Sequence, residues 1–201
     1  MKCFTNTDPN SYNRITVHVD QPIGGTSIPV GPNLDKHFVG HAYLTFDQTT
    51  NGVTISRSIG FYPEYNGSPI SPSGPPAFNN DSEYSGGWNV KVSFDVSSSQ
   101  FMAVVNHVID YGGSNYNLMN RNCGNMCVSA LSQIGVNLPT DWMNVPWYTV
   151  SNTGSNNNST VYGPSIGAFG QQIANEFSTN VVPYQISTSG GSAPEKRGGC
   201  N

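Results

Sequence analysis

The stretch 123–135 constrains this chain more than any other. Met126, Cys127, Ala130, Leu131 and Ile134 recur at helical spacing, and Gly135 stops the run, so the stretch reads as a helix with one apolar face. Cys123 lies one turn ahead of Cys127 on that stripe. Its thiol is therefore expected to point at an opposing sheet and not at bulk water.

The strands for that sheet can be read upstream. Residues 14–20 alternate apolar and polar, with Ile15, Val17 and Val19 inward. Residues 37–46 and 53–61 read as two further strands joined by a turn over 47–52. Centring that turn between Thr49 and Thr50 pairs Leu44 with Ile55 and Phe46 with Val53, giving an apolar face. The other face then holds His41 beside Ser58, Tyr43 beside Ser56 and Thr45 beside Thr54. Residues 88–96 form a fourth strand. Ser97-Ser-Ser99 caps a helix to about Tyr111, with Phe101, Val104, Val105, Val108 and Ile109 as its buried stripe. A last helix is expected over 165–177. Between strands, 65–87 is rich in Pro, Ser, Gly and Asn and reads as a long loop, a lid or substrate wall. The pattern is α+β, one domain over 1–186 with a mobile Gly/Ser-rich tail at 187–201.

Composition narrows the setting. With 201 residues the chain can bury one sizeable core. A net charge of −4 excludes a basic nucleic-acid footprint. Only 10% of residues are charged while Gly numbers 22 and Pro 14, the surface of a loop-rich β-containing protein suited to an extracellular or periplasmic setting. Met1-Lys-Cys-Phe-Thr-Asn-Thr-Asp8 lacks the apolar core of a secretory signal. No apolar run approaches the roughly 18 residues of a membrane span. The expectation is a chain exported by a leaderless route or cut from a longer polypeptide. Cys3 and Cys200, at opposite ends, either bridge the termini or stand as free thiols in the two tails.

The chemistry converges on Cys123 and His41. A thiol at a helix N-terminus meets free amides and the positive end of the helix dipole, which favour thiolate. His41 is bracketed by Gly40 and Ala42, small residues that let another element approach. An imidazole there can complete an ion pair and relay protons. His18, on the outward face of its strand, His107, off the apolar stripe of its helix, and His37 lack that setting. The expected register puts Ser58 opposite His41 as the residue to orient it, with Ser56 as neighbour and a backbone carbonyl as the alternative. The backbone amide of Cys123 is the natural oxyanion donor, with Tyr116, Asn120 and Asn122 as candidate second donors. Cys127, among Leu131 and Ile134, is expected to be core. The pairs His37/His41 and Cys123/Cys127 share a four-residue spacing, but on a strand it parts the two imidazoles by roughly 13 Å. Neither a metal nor a cofactor is expected.

The motifs Gly40-His-Ala, Gly60-Phe-Tyr-Pro63 and Tyr116-Asn-Leu-x-x-x-Asn-Cys123 together resemble the NlpC-type branch of the papain-like cysteine hydrolases. They are similar to its circularly permuted members, including the lecithin–retinol acyltransferase-like group, in which His precedes an Asn-Cys motif. Such domains also occur in bacterial polymorphic toxins and type VI secretion effectors. The resemblance spans residues 37–135 and, weakly, 163–177. It implies an antiparallel sheet packed on the Cys-bearing helix, with Cys123 as nucleophile and His41 as base in an acyl-enzyme mechanism. The leading expectation is a cysteine amidase or peptidase on peptidoglycan stem peptides, delivered to a target-cell periplasm and paired with a cognate immunity protein; the alternatives are a thiol acyltransferase or lipase-like enzyme on lipid esters and a non-catalytic module contacting glycan through Trp142 and Trp147. One departure is plain: the aromatic expected three or four residues after the Cys is replaced by Met126 and Cys127.

Overall fold

The computed structural model describes residues 3–4, 8, 10–28, 39–64, 73–83, 86–151, 158–178 and 184–199. Its elements in chain order are β1 (Tyr12–Asp20), β2 (His41–Thr50), β3 (Val53–Pro63), β4 (Ser73–Gly74), β5 (Pro76–Asn80), β6 (Val90–Val96), α1 (Ser98–Tyr111), β7 (Tyr116–Asn117), α2 (Cys123–Ser132), β8 (Val145–Ser151), β9 (Asn158–Gly163), α3 (Ile166–Glu176) and β10 (Tyr184–Ser187). Two single 3-10 turns, Asp81–Glu83 and Asp141–Asn144, join them. Six strands form one antiparallel sheet in the order β10-β6-β1-β2-β3-β5. The fold is α+β, as the element pattern predicts. Among the described residues, no helix is long and apolar enough to cross a membrane.

All three helices pack on one face of the sheet. The inward residues Ile15, Val17 and Val19 of β1, Leu44 and Phe46 of β2, and Val92 and Phe94 of β6 share a core with Phe101, Val104 and Val105 of α1, Met126 and Leu131 of α2, and Phe169 and Ile173 of α3. Ser97 caps α1 through a reciprocal pair with Gln100. The expected stripe of α1 holds except at Ile109, which is exposed, while Tyr111 takes its place in the core.

The β2–β3 hairpin departs from the expected register. Thr50 faces Val53 across a two-residue turn, Asn51-Gly52, both with positive φ (52° and 76°). That is the type I′ geometry, whose twist matches the flanking strands and which favours Asn-Gly. Leu44 therefore pairs with Ile59, Phe46 with Arg57, Thr45 with Ser58 and Tyr43 with Gly60. The apolar and polar faces stay as expected, because the displacement preserves the period of two, but every cross-strand partner changes.

The 65–87 loop is also corrected. Its described part contains β4, the edge strand β5 and the turn Asp81–Glu83; 65–72 and 84–85 lie outside the described residues. Pro76 opens β5, a position where a missing N–H is tolerated at a sheet edge.

The second face of the sheet is covered as well. Thr16 bonds to Ser93 at 2.9 Å and Thr45 to Ser58 at 2.8 Å, a buried hydroxyl ladder. His18, read as outward, is 2% exposed and stacks on Tyr43 at 4.7 Å. The tail expected to be mobile is instead tied down. It pairs with the backbone of Trp88 at Gly191, and Ser56 and Arg197 exchange backbone hydrogen bonds. Arg57 donates to the carbonyl of Gly198 at 2.9 Å. The segment after β10 is thus bonded both beside Trp88 and along β3. Cys3 is disulfide-bonded, and Cys200, its expected partner, lies outside the described residues.

If the Asn51-Gly52 turn sets the hairpin register, Gly52→Val should destabilise the protein by about 1–2 kcal/mol, since a β-branched residue is costly at positive φ. Urea unfolding of the two proteins measures this; an unchanged midpoint would contradict it.

Candidate active site

Cys123 is the first residue of α2. Asn122 caps that helix: its Oδ1 accepts from the Asn125 amide at 3.0 Å, and Asn125 Oδ1 accepts from the Asn122 amide at 3.1 Å. Asn122 Nδ2 also donates to the Leu118 carbonyl at 2.9 Å. Both ends of its amide are thus engaged in shaping the turn that presents the thiol. Gly124 admits the Trp142 ring against the helix start, where a Cβ would stand 2.6 Å from Cη2.

His41 is the first residue of β2, which runs over His41–Thr50 and not over the expected 37–46. Gly40 before it has φ +71°, and a Cβ there would press on the Asp20 carbonyl, Pro22 and Ile166. Only glycine allows both the turn and the approach. The imidazole lies close enough to Cys123 to interact with its thiol, and its Nε2 is hydrogen-bonded to Asp81 Oδ2 at 2.8 Å. Asp81 is 2% exposed, and its other oxygen accepts from Tyr62 Oη at 2.8 Å. The three groups form a Cys–His–Asp line running from the helix terminus across the end of the sheet.

Room for this line comes from Gly60. It faces Tyr43 across the ladder, and a Cβ on it would collide with Asp81 Oδ2 and His41 Nε2. The carboxylate occupies the volume that a side chain at 60 would fill. Burial alone would push the His41 imidazole down, but its hydrogen bonds to Asp81 and Cys123 outweigh this and raise it to about 9. His18 shows the opposite case. Buried without a hydrogen-bond partner for either ring nitrogen and near Lys91, it is pushed down to about 3.

The expected site residues sort as follows. Cys123 and His41 come together. Ser58 does not orient His41: the hairpin register sets it opposite Thr45, whose hydroxyl it engages. Asp81 has that place, and the sequence reading missed it because it lay inside a presumed loop. Tyr116 is 7% exposed, lines the same cleft as Cys123 and packs on Phe61 at 5.4 Å. Burial and the nearby Cys123 push its phenol well up, so it remains a proton donor. Asn120 is exposed and does not line that cleft. Cys127 is fully buried, and burial pushes its thiol up. Among the described residues no three His, Cys, Asp or Glu side chains gather as metal ligands; His37 lies outside them. The cleft is otherwise apolar, with Val39, Leu118, Pro164 and Ile166 on its walls beside Asn122.

Two outcomes follow from this geometry. Iodoacetamide at neutral pH should modify Cys123 before Cys127, and Cys127→Ala should cost roughly 1–2 kcal/mol of core stability; peptide mapping and urea melts read the two effects. Because the folded His41 titrates above its ordinary 6.5, its contribution to stability is complete below about 6.5 and is lost as pH rises through about 9. Stability should therefore decline over that window, and His41→Ala should flatten the decline; equal slopes would contradict the assignment. No protein-family model, curated protein or solved structure matches this chain, so the chemistry open to the site follows from its own geometry.

Proposed function

We propose that the protein is a papain-like cysteine hydrolase that cleaves amide bonds through a thioacyl-enzyme, with Cys123 as nucleophile, His41 as acid and base, and Asp81 as the group that orients His41. The observation that carries this reading is His41, hydrogen-bonded to the buried Asp81 carboxylate and set beside the helix-terminal thiol of Cys123. With its imidazole raised to about 9, His41 is protonated at neutral pH and serves as counter-ion to the Cys123 thiolate. The sulfur adds to the substrate carbonyl. In this reading the backbone amide of Cys123, an N1 group with no intrahelical acceptor, and the Tyr116 hydroxyl from the same cleft stabilise the oxyanion. His41 then gives its proton to the leaving amine as the C–N bond breaks. Water, deprotonated by the now neutral His41, adds to the thioester, and thiolate leaves.

The substrate favoured is a peptidoglycan stem peptide, on the strength of the Gly-His-Ala and Asn-Cys motifs in this order. An antibacterial effector acting in a target-cell periplasm, paired with an immunity protein, fits that substrate. A disulfide at Cys3 is in keeping with an oxidising compartment. The apolar walls of the cleft favour a second reading, a thiol acyltransferase or lipase-like enzyme on lipid esters. A non-catalytic module reading glycan through Trp142 and Trp147 loses support: Trp142 is fully buried, and Trp147 Nε1 is bonded to the Pro164 carbonyl.

Incubation with peptidoglycan sacculi, with products read by mass spectrometry, tests the proposal. New stem-peptide termini should appear with the parent protein and vanish with Cys123→Ala, with at least a ~10³-fold loss of rate. Release of fatty acid from ester vesicles with intact sacculi would transfer the reading to lipid. Activity that survives Cys123→Ala would end both.

A further inference from the structure

We propose that Tyr62 is a positioning residue of this site, holding the Asp81 carboxylate through its hydroxyl and the His41 ring through its face. The inference rests on the catalytic reading of Cys123 and His41. Tyr62 lies on β3 two places beyond Gly60, the partner of Tyr43, and so comes opposite His41. Its ring stacks on the imidazole at 4.4 Å with 28° between planes. Its Oη donates to Asp81 Oδ1 at 2.8 Å, while Oδ2 takes His41 Nε2 at the same distance.

A carboxylate this deeply buried needs a donor on each oxygen. Tyr43, the other phenol close by, has its hydroxyl on the Gly87 carbonyl. Without the Tyr62 hydroxyl, Asp81 is free to rotate over Gly60, where no side chain blocks it. His41 Nε2 would then lose the fixed acceptor that sets the orientation of its ring beside Cys123. A phenylalanine would supply the stack alone, so ring and hydroxyl are separable.

The test compares the parent with Tyr62→Phe and Tyr62→Leu, reading His41 by NMR titration and Cys123 by the pH profile of iodoacetamide alkylation. Tyr62→Phe should lower the His41 midpoint by about one pH unit, a tenfold loss in proton affinity, and move the thiolate limb of the alkylation profile to higher pH, because a weaker imidazolium stabilises the thiolate less. Tyr62→Leu should do more. In an Asp81→Asn background, Tyr62→Phe should add little, because the hydroxyl acts through that carboxylate. A Tyr62→Phe titration that superimposes on the parent's, or a full shift persisting in the Asp81→Asn background, would overturn the inference. These readouts need no substrate. If His41 responds while no acyl substrate is turned over, the positioning role stands and the hydrolase reading falls. If the parent hydrolyses and Tyr62→Phe leaves His41 unmoved, the reverse holds.

Discussion

The buried hydrogen bond between Asp81 and His41 is the interaction on which the site depends. A carboxylate at 2% exposure is expensive unless it is paired and bonded. Here it has a ring nitrogen on one oxygen and a phenol on the other. Each supporting feature serves that arrangement. Gly60 leaves the space, β5 brings the chain back along β3 so that Asp81 emerges at its end, and Gly40 lets His41 start its strand against the neighbouring loop. The helix that carries Cys123 is then positioned by ordinary packing, through Met126, Cys127, Ala130 and Leu131.

How much of this could be read in advance depended on range. The helical stripe after Cys123, the capping serines of α1 and the alternation of β1 are local signals, and each gave the right element. His41 was legible for the same reason, since its small neighbours announce a close approach. Asp81 was not. Its role arises from the pairing of β5 with β3, a contact that no periodicity within 65–87 reveals. One local clue existed: reading Asn51-Gly52 as a two-residue turn would have fixed the hairpin register, set Ser58 against Thr45 and left Gly60 as an unfilled place beside His41.

The second face of the sheet explains another error. His18 alternates with the core residues of β1, so it reads as outward, yet it is buried together with Thr16, Thr45 and Ser58. Trp88 packs against His18 at 6.1 Å, and the chain after β10 is bonded in turn to Trp88 and to Ser56. Gly/Ser-rich composition signals low intrinsic order but says nothing about backbone hydrogen bonds made to a distant strand edge. His18 carries the cost. It sits between rings with neither nitrogen paired and is kept uncharged by that burial.

The strand order has a consequence for synthesis. β1 lies inside the sheet, bonded to β2 on one side and β6 on the other. As the chain emerges, β1, β2 and β3 can pair as a local meander, yet the far side of β1 stays open until Val90–Val96 is released. At ribosomal rates that interval lasts on the order of seconds. Throughout it, the N–H and C=O groups of β1 that will meet β6 form an unpaired edge, flanked by the apolar side chains of Ile15, Val17 and Val19. The finished protein covers this edge completely. The aggregation hazard therefore belongs to the half-made chain, and conditions that slow translation between β3 and β6 would expose it longest.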